Sequence, residues 1–518
     1  MVHRAENVPG RNSLNTPHES SVNRSYQLGL LALVLLIGLS LRLPAIDQPF
    51  VDAWSYRQSD VAMVARNFYR YGYNIFWPRI DYGGAQPGYV GMEFPVVPYL
   101  AAVFYQLAGE HEAIGRSISV IFFLLSLPPL FLLVQMFRNS RAAFFATCAY
   151  SVMPLTIFSG RSFMSDMTAY SFAIWALWLF ACWTERKSRW TLVSAALAMA
   201  LAILIKAPYA VLGLPMAYLS LRKFGLLRSL TSADLWLFGF LALTPAALWY
   251  LHAAEMTQSY YPNIPFLGHP DKFFAPLPAE KYLRILERVV WWVTPILFFL
   301  GITAFFLPEA KAWRWFFIWW FVGLALLIVI SGDDSFGHPW YQLPITAAIA
   351  SLAGITIDWL LAQSSHKLRF PIVVALVIGG CFIAYQSYSV VRTQFTPFAE
   401  PLREAGVAAD RLLPKNALLL FATWGDPTTV YYSKRHGWLF HEHFVAPKNG
   451  AEAISMLEMR RREGASYFVA SSRESYLREE PYSSFWQYLE RHFTLVISAP
   501  DFTIFDIRNK TNATVGTP

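Results

Sequence analysis

VDAWSYRQSDVAMVARNFYRYG, residues 51–72, is the first polar stretch after the first apolar run, and its reading decides the fold. Ser55 and Gln58 stand in the S-x-x-Q spacing of a capping box, which predicts a helix beginning near Ser55. Val61, Val64, Ala65 and Phe68 recur at i, i+3, i+4 and i+7 and give that helix one apolar face. A helix of this kind lies on a membrane surface, apolar face down. Asp60 follows Arg57 by one turn, close enough to pair with it, and an exposed pair of that kind contributes little to stability. Two further segments complete the loop, PRIDYGGAQPGYVGMEFPVVPYL (78–100) and GEHEAIGR (109–116). Asp52, Asp60, Asp81 and Glu93 thus lie among Arg57, Arg66, Arg70 and Arg79, with aromatics throughout. Charges and rings this dense, held between apolar runs, suit the floor of an active site.

The surrounding chain is apolar. Of 518 residues, 55% are hydrophobic, 17% aromatic and 15% charged, and the mean hydropathy is +0.35. Soluble proteins carry about 25% charged residues, so this composition indicates a membrane protein. The net charge of +8 does not call for nucleic acid, because Lys and Arg concentrate in cytoplasmic loops. Cys148, Cys182 and Cys381 all sit in hydrophobic runs and form neither a disulfide framework nor a metal knuckle.

Residues 1–26 read as a disordered cytoplasmic tail. YQLGLLALVLLIGLSLRLPAI lacks a small-residue cleavage site, so it reads as an uncleaved first span with its N-terminus inside. Later apolar runs bring the expectation to about eleven spans over 27–394. Placing 94–108 as a re-entrant or surface helix puts Arg138, Arg141, Arg186, Lys187, Arg189, Arg222, Lys223, Arg228, Lys311, Arg314, Lys367 and Arg369 inside. The same assignment puts 44–115 outside as the first external loop. Residues 395–518 change character. ALLLFAT, SYFVASS, FTLVISA and FTIFDI read as strands, and helices are expected near 426–435, 450–463 and 482–491. The alternation predicts an extracytoplasmic α/β domain with a largely parallel sheet. It carries no G-x-G-x-x-G or P-loop.

Acidic residues clustered at one face of a membrane protein, in basic and aromatic company, suit transfer of a sugar from a lipid-linked phosphate. A carboxylate takes the acceptor proton while Arg, Lys or a metal stabilises the departing phosphate.

RQSDVAMVARNFY, MEFPVVPYL, GEHEAIGRSISVIF, SGRSFMSDM, ALAILIKAPYAVL and HPWYQLPITAAIA occur here in an order that resembles the family 39 glycosyltransferases. These are C-type (GT-C) polytopic membrane enzymes related to protein O-mannosyltransferases and the lipid A aminoarabinose transferase. The resemblance spans most of 27–390. It implies a polyprenyl-phosphate sugar donor and an inverting transfer to a glycolipid, polysaccharide or protein hydroxyl. It also implies an extracytoplasmic site in a bacterial-type inner membrane. Many relatives have an Asp-Glu pair where Arg57 and Gln58 stand, so the base is Asp60 or Asp52, with Asp60 preferred because it follows RQ within the best-matching segment. Arg57, Lys206 and Tyr341, with Arg116, are the expected donor-phosphate contacts, and Asp81, Glu93 and His338 are expected to meet substrate. Glu93 could help hold a divalent metal, with His252, His269 and His338 as candidate partners. Arg161 and Asp166 read as a structural ion pair. Two rival readings are a lipid or glycan transporter, which would need ionisable groups at mid-membrane depth, and an inactive scaffold of the same fold.

Overall fold

The computed structural model describes residues 17–260, 276–308, 313–441 and 447–510. His269 and Lys311 lie outside them. The helices of the first half are α1 Pro17–Ser40, α2 Ser55–Tyr71, α3 Val96–Ala108, α4 Glu112–Phe137, α5 Ser140–Val152, α6 Pro154–Ser159, α7 Asp166–Arg186, α8 Arg189–Ile205, α9 Gly213–Phe224 and α10 Leu226–Thr231. There follow α11 Ala233–Tyr260, α12 Ala279–Val293, α13 Pro295–Thr303, α14 Arg314–Gly337, α15 Ile345–Gln363 and α16 His366–Gln394.

Among the described residues six of these helices are long and apolar enough to cross a bilayer, against about eleven expected. A seventh span is reached if the segments Ala279–Val293 and Pro295–Phe306, bent by 98° at Thr294, count as one. Part of the difference is length, since Gln27–Ser40 and Arg189–Ile205 are apolar but short. Pro154 and Pro295 also begin new helical segments, where a missing N–H costs nothing, and divide the runs 142–158 and 290–307 that read as continuous. The α7 and α15 spans are 78% buried and form the centre, whereas the apolar part of α16 is 11% buried. An apolar helix that exposed is solvated by lipid. The chain is an integral membrane protein.

Charge separates along the bundle. Arg138 and Arg141 both pair with Asp358 near the end of α15, and Lys223 pairs with Glu185 at the end of α7. The opposite helix ends, near Asp166, Ile205 and Gly337, meet the first loop. There α3 is a helix, as expected for 94–108, and its 13 residues span only about 20 Å, too short to cross.

Beyond α16 come α17 Glu400–Leu412, α18 Thr428–Ser433, α19 Gly450–Arg462 and α20 Ser483–His492, with strands β1 Leu419–Ala422, β2 Gly437–Leu439, β3 Tyr467–Ser471, β4 Thr494–Ser498 and β5 Phe502–Asp506. The sheet order is β2-β1-β3-β5-β4. β2, β1 and β3 are parallel, but β5 runs antiparallel to both β3 and β4, so the sheet is mixed. Only Ala499–Asp501 separates β4 from β5, a hairpin length that cannot carry a parallel crossover.

The apolar face of α2 does not lie on a membrane surface. Val61, Val64, Ala65 and Phe68 are buried in one core with Val97 and Ala101 of α3 and with Leu419, Phe421, Val430 and Ile504 of the sheet region. Polar contacts seal that junction. Arg66 donates to Asp81 at 2.8 Å and to the Tyr431 carbonyl at 2.6 Å, and Asn67 donates to Asp81 at 2.7 Å. The Gly437 N–H donates to the Asp81 carbonyl and Gly84 N–H to the Gly437 carbonyl, so the first loop covers the edge of β2. Gly84 has φ +69°, and a Cβ there would run into the Trp438 indole.

Candidate active site

α2 begins at Ser55 as expected, but no capping box forms. Trp54 is the N-cap in the left-handed region, and no side chain caps the helix. Ser55 Oγ instead donates to Asp426 Oδ2 at 3.1 Å, and the Gln58 amide donates to Asp52 and accepts from Phe163 N–H. Those bonds fasten α2 to its neighbours.

Asp52 is walled in. Arg161 lies 2.7 Å and Arg116 3.2 Å from its Oδ2, and all three side chains are at most 1% exposed. The two guanidiniums also donate to the carbonyls of Pro44, Ala45, Gln48 and Pro49, so the group clamps the loop leaving the first span. The structure places Arg116 in this clamp rather than among the phosphate candidates. Arg161 pairs with Asp52 and not with Asp166. Asp81 is likewise occupied by Arg66 and Asn67 at the junction with the sheet region.

The remaining candidates converge. Glu93 Oε1 lies 3.1 Å from Arg57 Nη2 and 3.1 Å from Lys206 Nζ. Lys206 is also 3.5 Å from Asp166 Oδ1. Asp166 is buried, and its second carboxylate oxygen makes no hydrogen bond. Lys206, Asp166, Tyr209, Trp340 and Tyr341 line a narrow cleft. Burial alone would raise the Glu93 carboxyl, but Lys206 and Arg57 outweigh it and hold the group at about 2. Arg57 therefore turns to Glu93, not to Asp60 as the helical spacing suggests.

Asp60 lies on the same helix, half-buried, accepting from Tyr82 Oη at 3.1 Å. Its carboxyl is pushed up to about 7, mainly by burial and secondarily by the negative charges of Asp426 and Glu93. Arg57 and Tyr82 pull the other way and do not win. Near neutral pH the group is thus poised between its two forms, where a general base is most effective. His338 Nε2 lies 3.1 Å from Tyr56 Oη, and its ring stacks on Trp340 at 4.8 Å. Burial first, then Arg57, depresses His338 to about 4, so it is neutral at physiological pH.

Among the described residues, Glu93 is already shared by two cations, and no group of three or more His, Cys, Asp or Glu is placed to hold an ion; the candidate partner His269 lies outside them. His252 contacts the Phe76 carbonyl, and its ring meets Trp77. Sequence reasoning missed Asp166 as a cluster member. Its only signal was a place at the end of a span opposite Lys206.

A family model described as dolichyl-phosphate-mannose-protein mannosyltransferase matches residues 87–251, which include Glu93, Asp166 and Lys206. No curated protein matches the sequence. Among solved structures, ArnT from Cupriavidus metallidurans bound to undecaprenyl phosphate is 16% identical, with a TM-score of 0.60, covering 92% of this chain and 98% of that one. The oligosaccharyltransferase AglB from Archaeoglobus fulgidus, solved with an inhibitory peptide and a dolichol-phosphate, is 13% identical with a TM-score of 0.62, covering 96% and 75%. The mycobacterial arabinofuranosyltransferase AftD is 14% identical with a TM-score of 0.53, covering 94% and 42%. The chain shares the GT-C fold of these membrane enzymes, and its residues 87–251 match the dolichyl-phosphate-mannose-protein mannosyltransferase family model.

Proposed function

We propose that this protein transfers a sugar from a polyprenyl-phosphate-linked donor to a hydroxyl of a glycolipid, polysaccharide or protein, with inversion, at the extracytoplasmic face of a bacterial-type inner membrane. The observation that carries the reading is the meeting of Arg57 and Lys206 on one Glu93 oxygen, beside a cleft that Tyr341 lines. A donor phosphate entering that cleft would find two cations held together by a displaceable carboxylate, with Asp166 behind Lys206. They stabilise the charge that develops as the bond from the anomeric carbon to the phosphate oxygen breaks. The acceptor oxygen forms the new bond to that carbon, Asp60 takes the acceptor proton, and polyprenyl phosphate leaves.

The transporter reading finds no support. The ionised groups of the cluster sit at helix ends and in the first loop, not mid-span. Basic residues at the opposite end of the bundle favour an orientation with that end in the cytoplasm. The test is direct. Purified protein in lipid nanodiscs, given a radiolabelled polyprenyl-phosphate sugar, should release label from the lipid onto a hydroxyl-bearing acceptor or water. Intact donor after prolonged incubation with folded protein would leave only the inactive scaffold.

A further inference from the structure

Trp54 and Tyr56 pack with His338 and Trp340 into a shared aromatic wall; Trp340 lines the first cleft, and Trp54 and Tyr56 line a second. Ala53 to Tyr56 form one side, Gln394 and Phe398 another, and Trp424, Asp426 and Arg473 of the sheet region the third. It is an open cleft of about 650 Å³, within the range of small-ligand sites.

Two features set it apart. Trp54 (φ +63°) and Trp424 (φ +52°) both adopt left-handed backbone conformations, and both line this cleft. For a bulky side chain that conformation is a true outlier, and strain of this kind persists only where the surroundings enforce it. The enforcement is visible at Trp424. Its N–H donates to fully buried Glu474, whose carboxylate also lies 2.8 Å from His441 Nδ1. The His441 and Tyr476 rings pack against the indole at 5.4 and 5.5 Å. Despite this framework the indole is 48% exposed, with its free surface turned to the cleft. Trp54 is braced by the edge of Trp340 at 5.0 Å.

Polar groups are few and fixed. Asp426 is buried, accepting from Ser55 Oγ at 3.1 Å and Thr428 N–H at 2.9 Å, with Arg473 at 3.5 Å. Arg473 itself lies over the Phe398 ring.

We propose that this cleft is the acceptor subsite and that it takes a neutral saccharide. The inference rests on the glycosyltransferase reading. Rigid indoles match the apolar C–H faces of sugar rings, while one carboxylate and one guanidinium suit the hydroxyl edges. An acyl chain would leave the Asp426–Arg473 pair unused and desolvated. An anionic glycan would meet Asp426. The shared wall brings an acceptor hydroxyl toward the first cleft and toward Asp60, whose proton affinity already responds to Asp426.

Two measurements on the full-length protein in nanodiscs separate this inference from the reading beneath it. Saturation-transfer NMR with a panel of free neutral trisaccharides, without donor, should show binding to wild type, loss in Trp424→Ala and partial retention in Trp424→Phe. With donor present, Trp424→Ala should raise the acceptor KM about tenfold while the donor KM holds. Transfer to a Ser/Thr peptide or a glycolipid at equal acceptor KM in wild type and Trp424→Ala, without saccharide binding, would overturn the subsite and leave the enzyme reading standing. Saccharide binding lost in Trp424→Ala, in a protein that never cleaves donor, would keep the cleft and sink the reading. Thermal melts of both variants confirm that they are folded.

Discussion

Arg57 and Lys206, 149 positions apart in sequence, approach the same oxygen of Glu93, each at 3.1 Å. One carboxylate thereby holds two cations beside a cleft and keeps them from turning elsewhere. A phosphate arriving there competes with Glu93 and needs no reorganisation of the cations, the economy on which electrostatic catalysis depends.

Lys206→Met keeps the length and apolar stem of the side chain and removes its charge. Losing one charge-assisted contact of about 1.5–3 kcal/mol should weaken donor use roughly ten- to hundredfold. Donor titration in nanodiscs measures it. Unchanged donor dependence in folded protein would make Lys206 a partner for Glu93 and Asp166 alone.

Asp60→Asn should lower transfer by about 10²–10⁴-fold with donor KM little changed. Because Asp60 titrates at about 7 and His338 is neutral well below that, the wild-type rate should climb with pH through 7. Stability carries the opposite sign. The folded carboxyl binds its proton more tightly than the unfolded one, whose pKa is about 4, so this group's contribution falls as pH rises from about 4 through 7. Asn has no such penalty, and the variant should melt higher than wild type at pH 8 but not at pH 4. A flat rate profile across pH 6–8 would remove Asp60 from the chemistry.

Asp52→Asn tests the clamp. It leaves Arg116 and Arg161 buried with their shared counter-charge gone, a loss of about 3–5 kcal/mol. The melting temperature should drop markedly, with acceptor and donor KM of the surviving folded fraction near wild type. A normal melt combined with lost turnover would return the base to Asp52.

A reporter active only outside the cytoplasm, fused after residue 400, should be active if the ion cluster faces outward. Activity of a cytoplasmic reporter at the same position would invert the site relative to the membrane.

Much of this was legible in the chain. The polar stretch at 51–72 announced the helix, and four strands were visible from their β-rich runs. Of the residues expected to meet the donor phosphate, Arg57 and Lys206 share Glu93, Lys206 and Tyr341 line one cleft, and Arg116 lies elsewhere. What failed did so for physical reasons. Ser55 and Gln58 have the spacing of a cap, but tertiary partners, Asp426 and Asp52, claimed both side chains. Asp52 resembled a base because sequence shows a carboxylate but not the two buried guanidiniums that saturate it. Helical spacing put Arg57 beside Asp60, whereas Glu93, distant in sequence, offered the closer partner. Three-residue β2 carried too little pattern to detect, and it gains its definition from β1 and the loop beside it. The apolar face of α2 looked lipid-facing because hydropathy cannot distinguish lipid from another part of the same protein.

That last point bears on how such a chain can be divided. The face that α2 presents to the sheet is continuous with α3, and Asp81 and Gly84 border β2 through backbone bonds. Cutting the chain near residue 395 would bare an apolar helix and strip Arg66 of its Tyr431 partner in one stroke. A chimera meant to borrow another enzyme's acceptor preference would therefore have to graft the tail and the stretch 51–116 together, as a matched pair.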